Sequence, residues 1–196
     1  TFDMKQLGAD AKGINSCTEL INRTIEKAAL EGGGTIYFPA GTYLTATIHM
    51  KSNITLYLES GAVLRFSDKF EDYLPFVTLR WEGTVMKSLS PLIYAHSADN
   101  VTISGRGTLD GNGLKWWLWE FDTRKVIKEN GGKLPALDKL QQMWVDANKD
   151  LEISDYYKPS LERRMFRPPF IQFYECTNIL IENVKIINSP FWTINP

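Results

Sequence analysis

Arginines and tryptophans carry the most suggestive chemistry in this sequence. Arg80, Arg163, Arg164 and Arg167 offer planar guanidinium forks, which match carboxylates in two-point contact. Trp116 and Trp117 offer flat faces on which sugar rings stack. Arg80, Trp116, Trp117, Arg163 and Arg167 are the binding candidates of these types. Each also has a structural reading. The two tryptophans can anchor the segment they open, Arg163 and Arg164 can pair with Glu162 or Asp155, and Arg167 can brace the Pro168-Pro169 corner.

The carboxylates do not assemble into a catalytic set. Asp110 lies in the turn Leu109-Asp-Gly-Asn-Gly113, where Asp commonly bonds its own backbone. Glu59 stands at the corner Glu59-Ser60-Gly61, and Asp99 precedes Asn100 at another turn. Asp68, Glu71 and Asp72 read as a loop of solvated charge. No catalytic residue is therefore assigned. His49 and His96 lie in or beside strands and suit ordinary hydrogen bonding. Cys17 and Cys176 make no Cys-x-x-Cys, and with two His they form no zinc pattern. They read as unpaired core thiols. No metal and no cofactor is expected.

Composition narrows the class. Of 196 residues, 43% are hydrophobic and 23% charged, with a net charge of -1, enough for one domain with a real core. Near neutrality argues against a nucleic-acid partner, which calls for a basic excess. No apolar run approaches the ~20 residues of a membrane span. The sequence opens at Thr1-Phe2-Asp3 without a signal peptide pattern, as a mature or trimmed N-terminus would.

The elements that must position these residues are short strands. Asn53-Ile-Thr-Leu-Tyr-Leu58, Asn100-Val-Thr-Ile-Ser104 and Asn178-Ile-Leu-Ile181 each begin with Asn, run into β-formers and turn. Self-similarity of this kind marks a solenoid, with one rung stacked on the next. Stacked Asn side chains can bond in a ladder, and Asn tolerates the left-handed backbone of sharp corners. Segments between successive strands are too short for crossover helices, which excludes a doubly wound sheet. Thr35 to Phe38, Thr42 to His49, Ala62 to Phe66, Pro91 to Ala95 and Phe170 to Tyr174 supply further strands.

Ahead of them, residues 16–31 read as a capping helix. Ser16 and Glu19 have capping-box spacing, and Cys17, Ile21, Ile25, Ala28 and Ala29 form one apolar stripe. Such a helix would hide the unpaired edge of the first rung. Two stretches break the rhythm. Residues 67–90 read as a projecting loop. Residues 114–167 read as an insertion, helical in its middle from Pro135 through Ala147 and basic at its end. Long insertions in repeat folds map to one face, often the binding face. Residues 1–196 are thus read as a single β-helix, incomplete at its C-terminal end because no closing cap follows the last rung.

Several blocks together resemble glycoside hydrolase family 28, the polygalacturonase family, in its bacterial branch. They are Leu7-Gly-Ala9, Glu31-Gly-Gly-Gly-Thr-Ile-Tyr-Phe-Pro-Ala-Gly-Thr-Tyr-Leu44, Leu56 to Leu64 and Arg80-Trp-Glu-Gly83. The most specific are Ser90-Pro-Leu-Ile-Tyr-Ala95, Gly105-Arg-Gly-Thr-Leu-Asp-Gly111 with Trp116-Trp117, Arg167-Pro-Pro-Phe170 and Asn188-Ser-Pro-Phe-Trp-Thr-Ile194. The resemblance implies a right-handed parallel β-helix. The chain departs from the family at Lys12 to Ser16, where acidic residues are usual, and at Asn195, where many members have His.

The resemblance also implies inverting hydrolysis of α-1,4-galacturonosidic bonds in pectin, in a secreted or periplasmic setting; the long insertion and wide loops, by blocking one end of a groove, favour exo action. Inversion needs one carboxylic acid on the leaving oxygen and one carboxylate on a water. The family's Asn-Thr-Asp, Asp-Asp, Gly-His-Gly and Arg-Ile-Lys motifs are absent here, so those groups are expected downstream and the 196-residue chain alone is expected to be inactive. The expected partners are a pectic polysaccharide or oligogalacturonide and the C-terminal part of the same protein. The alternatives are a non-catalytic polysaccharide-binding β-helix, a rhamnogalacturonan hydrolase and a pectate lyase. The lyase would need a calcium site of clustered acids, which the sequence does not show.

Overall fold

A computed structural model describes residues 1–151 and 167–196. In chain order, Phe2–Asp3 (β1) and Lys12–Ser16 (β2) precede the helix Thr18–Leu30 (α1). Gly34–Phe38 (β3), Gly41–Thr45 (β4) and Ile48–His49 (β5) make the first complete rung. Ile54–Leu58 (β6), Ala62–Phe66 (β7) and Ile93–His96 (β10) make the next, interrupted by Val77–Trp81 (β8) and Thr84–Ser88 (β9). Asp99–Gly105 (β11), Thr108–Asp110 (β12) and Ile171–Tyr174 (β13) follow, interrupted by the helices Leu114–Glu129 (α2) and Lys139–Ala147 (α3). Thr177–Ile181 (β14), Lys185–Ile187 (β15) and Ile194–Asn195 (β16) make the last.

Every third strand lands on the same sheet. One face is ordered β1-β3-β6-β11-β14, the second β2-β4-β7-β12-β15 and the third β5-β10-β13-β16, with every pair in these faces parallel. Alternation along each short strand sends one set of side chains inwards, where register stacks like on like. Ile36, Leu56, Ile103 and Ile181 align on the first face. Tyr43, Leu64, Leu109 and Ile186 align on the second, and Ile48, Ile93, Ile171 and Ile194 on the third. Full burial of each such side chain is worth about 1.5–3 kcal/mol. At the last rung this weakens, because Ile179 is 42% and Ile194 51% exposed.

The ladder asparagines all have positive φ, at 63° for Asn53, 59° for Asn100 and 51° for Asn178. Asn100 Nδ2 donates to Asn53 Oδ1 at 3.1 Å, as the repeat predicts. Asn178 departs from it and donates to Asp99 Oδ1 at 2.7 Å. Asp99 also accepts from Thr177, and these two side-chain bonds hold its carboxyl below the usual carboxylate range.

Helix α1 buries Ile21, Thr24, Ile25 and Ala28, in line with the predicted stripe. Its start differs from the prediction. Cys17 is the N-cap, without a side-chain cap bond, and no Ser16–Glu19 capping box forms. The helix instead docks through Asn22. Asn22 Nδ2 donates to the Thr47 carbonyl at 2.9 Å, and its Oδ1 accepts from the His49 amide at 2.8 Å. One side chain thereby pairs both backbone groups of the third face's edge strand. Asn22→Ala should lower stability by about 1–3 kcal/mol, the cost of stranding those groups. Denaturant unfolding measures it, and a variant as stable as wild type would refute edge capping by Asn22.

Other boundaries also move. The single stretch Thr42 to His49 splits into β4 and β5 around a corner at Ala46-Thr47. Helix α3 starts at Lys139, not near Pro135, because Asp138 and Gln141 form the capping box. Helix α2 was not anticipated as a helix. The projecting loop at 67–90 contains a 3-10 turn at Phe70–Tyr73 and the antiparallel hairpin β8–β9. Both insertions leave the coil at the same corner, between the second face and the third.

Candidate functional site

The outer surface of the third face is where these insertions converge. His49, Tyr94, Gln172 and Asn195 stand in one row across β5, β10, β13 and β16, outward of the isoleucine row. His96 and Tyr174 stand in the next row, with rings 5.1 Å apart. His96 Nε2 lies 3.2 Å from Glu175 Oε2.

The hairpin lies over this surface. Its two-residue turn, Glu82-Gly83, has φ of 46° and 87°, the positive pair that a type I′ turn requires. Leu79, Trp81 and Met86 point to one side and pack with Trp144 of α3, and Trp81 stacks on Phe191 at 5.8 Å. In a hairpin, alternate residues turn their backbone polar groups away from the partner strand. At Thr78, Arg80 and Lys87 those groups meet side chains. The Tyr94 hydroxyl donates to the Thr78 carbonyl. Gln172 Nε2 and Asn195 Nδ2 donate to the Arg80 carbonyl at 2.8 and 3.2 Å. Asn148 bonds both the amide and the carbonyl of Lys87, at 2.8 and 2.7 Å. The contacts to β8 step from the β10 strand to β13 and β16, so β8 runs along the coil axis and across the rungs.

Behind the hairpin, α2 carries Trp116, Glu120 and Arg124 at four-residue spacing, which brings them to one side. Glu120 is buried between two cations. Arg124 Nη2 lies 2.5 Å from Oε1, and Arg167 Nη2 pairs with Oε2. Arg167 Nη1 also donates to the Pro190 carbonyl at 3.0 Å, and its guanidinium lies 4.9 Å from the Phe191 ring centre. Burial pushes the Arg167 guanidinium below its ordinary value, and Glu120 opposes that shift.

The sequence-derived binding candidates therefore separate. Arg80 is exposed beside the third face, and its Nη2 donates to the Pro196 carbonyl at 2.6 Å. Trp116 is 1% exposed and stacked on Phe70 at 3.9 Å, so neither ring face is open to a sugar. Its position corrects the expectation of a stacking platform; the anchoring alternative describes it. Trp117 is half-buried and donates through Nε1 to the Ser189 carbonyl at 2.8 Å. Arg167 is committed to Glu120 and Pro190, deep in the insertion's base. Arg163 and Arg164 lie outside the described residues. Among the described candidates, the structure thus brings Arg80 to the outer surface of the third face.

Three of the carboxylates singled out in the sequence have local partners. Asp110 Oδ1 accepts from the Asn112 amide at 3.0 Å and from Asn188 Nδ2 at 2.8 Å, as a turn residue. Glu59 accepts from the Tyr37 hydroxyl. Asp72 bonds Ser67 at 2.5 Å. Among the described residues, no group of three or more His, Cys, Asp or Glu is placed to hold a metal ion. Cys17 and Cys176 are free. A crevice of about 30 Å³ is lined mainly by apolar side chains, among them Phe70, Phe76, Trp116, Leu140 and Trp144.

Sequence reasoning missed Tyr94, Gln172 and Tyr174. A signal was present. Pro91-Leu-Ile-Tyr94 and Pro169-Phe-Ile-Gln172 align position for position, which places Tyr94 and Gln172 in one outward row.

Comparison with known proteins agrees with this geometry. The family model described as rhamnogalacturonase A/epimerase, pectate lyase-like, matches residues 1–116. A probable polygalacturonase of Vitis vinifera is 27% identical over 177 residues, covering 88% of this chain and 28% of that protein. An exo-poly-alpha-D-galacturonosidase of Dickeya chrysanthemi is 31% identical over 121 residues, covering 58% of this chain and 20% of that protein. Among solved structures, a hyperthermoactive exopolygalacturonase from Thermotoga maritima superposes with a TM-score of 0.74 at 38% identity, over 97% of this chain and 42% of that one. The chain therefore spans less than half the length of each of these relatives. The shared architecture is a right-handed parallel β-helix. With the family model matched over more than half of this chain, the chain belongs to the rhamnogalacturonase A/epimerase, pectate lyase-like family, and it is similar to the polygalacturonases.

Proposed function

We propose that the protein carrying this chain is a glycoside hydrolase that removes galacturonate units from the ends of pectic chains, by inversion, in a secreted or periplasmic setting. The observation that carries the exo assignment is the hairpin. A polymer bound along the coil would follow the outer surface of the third face, and β8 runs along that same lane, bonded to Tyr94, Gln172 and Asn195. A groove closed in this way takes in a chain end and excludes a chain that must pass through. The names of the Dickeya chrysanthemi and Thermotoga maritima relatives, both exo-acting, support the reading.

The acid that protonates the leaving oxygen and the carboxylate that activates water are placed beyond residue 196 in this reading, and this chain supplies the wall of the site. Digestion of polygalacturonate by the protein that carries the chain tests it. Small uronates should accumulate while viscosity falls slowly, and the 196-residue chain by itself should release no reducing ends. A rapid fall in viscosity would mean internal cleavage. Unsaturated, calcium-dependent products would mean a lyase, and products only from rhamnogalacturonan would move the substrate. Binding with no product from the longer protein would leave a polysaccharide-binding β-helix.

A further inference from the structure

We propose that Arg80 receives the carboxylate of an acidic sugar on the third face, and that Gln172 and Asn195 are positioning residues that aim it. The proposal deepens the pectin reading above and rests on it. Arg80 is the guanidinium that the structure brings to this surface among the described sequence-derived candidates. Of its five N–H donors, one is spent on the Pro196 carbonyl, the one bond its side chain makes among the described residues. The Arg80 side chain is exposed, and its charge acts on Tyr174 of the same face. Desolvation and then Glu175 push its phenol above the ordinary value, and Arg80 opposes them. A cation next to an outward aromatic ring suits a uronate, whose carboxylate takes the fork and whose ring takes the aromatic face.

The backbone beneath Arg80 is unusually well held. Two amides from successive rungs, Gln172 and Asn195, converge on its carbonyl. Gln172 is the more telling of the two. It is 1% exposed, and its Oε1 has no hydrogen-bond partner among the described residues. The cost of an unpartnered buried amide oxygen offsets what the bond to the Arg80 carbonyl contributes. A group that adds so little to stability while fixing the backbone of Arg80 is placed for aim.

The test is the discrimination between trigalacturonate and its methyl-esterified form, measured as the ratio of their dissociation constants for the longer protein that carries this chain. The two ligands have nearly the same shape and differ in charge. Wild type should prefer the acid by about tenfold, the effect of one charge-assisted contact. Arg80→Ala should bring that ratio close to one. Gln172→Met, similar in volume, should lower the ratio at least threefold while the melting temperature holds or rises, opposite directions that a merely structural role does not produce. Should Gln172→Met fail to fold, Asn195→Ala, at a half-buried position, is expected to lower the ratio in the same sense.

Each other result overturns something specific. An unchanged ratio in Gln172→Met and in Asn195→Ala would refute positioning and leave Arg80 in place. An unchanged ratio in Arg80→Ala would refute the assignment of Arg80. Wild type that binds neither ligand, or both equally, would refute an acidic-sugar site on this face. The product assay on the longer protein decides the pectin reading independently of all three.

Discussion

Alanine at Glu120 should lower the unfolding free energy by about 3–5 kcal/mol, the usual consequence of removing one partner from a buried ion pair. The two cations that Glu120 holds are not equivalent. The Arg124 side chain is 55% exposed and can turn to water when its partner is lost. The Arg167 side chain is 18% exposed, over Phe191 and against the Pro190 carbonyl, and would be left with a charge that nothing neutralises. The loss should be visible as a shift in the urea midpoint with little change in slope. A second variant separates charge from packing. Replacing both partners of a buried pair by apolar residues is often neutral, so Glu120→Leu with Arg167→Met should recover most of the loss. A single-variant loss below about 1 kcal/mol, the range of an exposed bridge, would mean that water already solvates this pair. The pair sits at the root of the insertion, and Arg167 leads directly into β13 and Gln172, so its loss should also loosen the surface under Arg80.

Gly105→Ala should be comparably severe, at about 3 kcal/mol or more. Gly105 pairs with Leu58 of the rung below and has a φ of 118°, a conformation that costs an L-residue about 1–3 kcal/mol. A methyl group there would lie 2.0 Å from the Leu58 carbonyl oxygen and 2.8 Å from its carbon and nitrogen. These are backbone atoms of a central rung, so relief means prising two rungs apart. Gly32 provides the control. Its φ is 93°, yet nothing lies within 4 Å of an added methyl group. Gly32→Ala should therefore show the conformational cost alone, and the difference between the two variants measures how closely successive rungs approach. Equal losses would refute close approach as the reason for glycine at 105.

The coil was legible because its information is local and repeated. Each rung needs an Asn or Gly at a corner and a few alternating β-formers, and the chain writes this several times in succession. The stripe of α1 was legible for a similar reason, since a helix against a core shows a 3.6-residue period. The start of that helix was not, because Ser16 lies one residue outside the cap, and its docking rests on Asn22 meeting an edge strand some 25 residues later in sequence. Helix α2 escaped notice because it buries Trp116 and Glu120 while leaving Leu118 and Phe121 exposed, so its apolar residues do not form a stripe. The hairpin showed its Glu-Gly turn and its alternation, but in a stretch where the main rhythm had lapsed.

Fold and family were thus determined by the sequence alone, through repeated corner residues and ordered blocks that need no knowledge of long-range contacts. The binding candidates were a different matter. Residue type nominated Arg80, Trp116, Trp117, Arg163 and Arg167 alike, since an arginine that braces a core and one that meets a ligand are the same letter. Only the tertiary structure distinguished among those it describes. It buried Trp116 against Phe70, paired Arg167 with Glu120, and left Arg80 outwards on a hairpin held by Gln172 and Asn195. The physical reason is that burial and partnership belong to the neighbours that folding brings from other rungs, and no spacing within one segment encodes them.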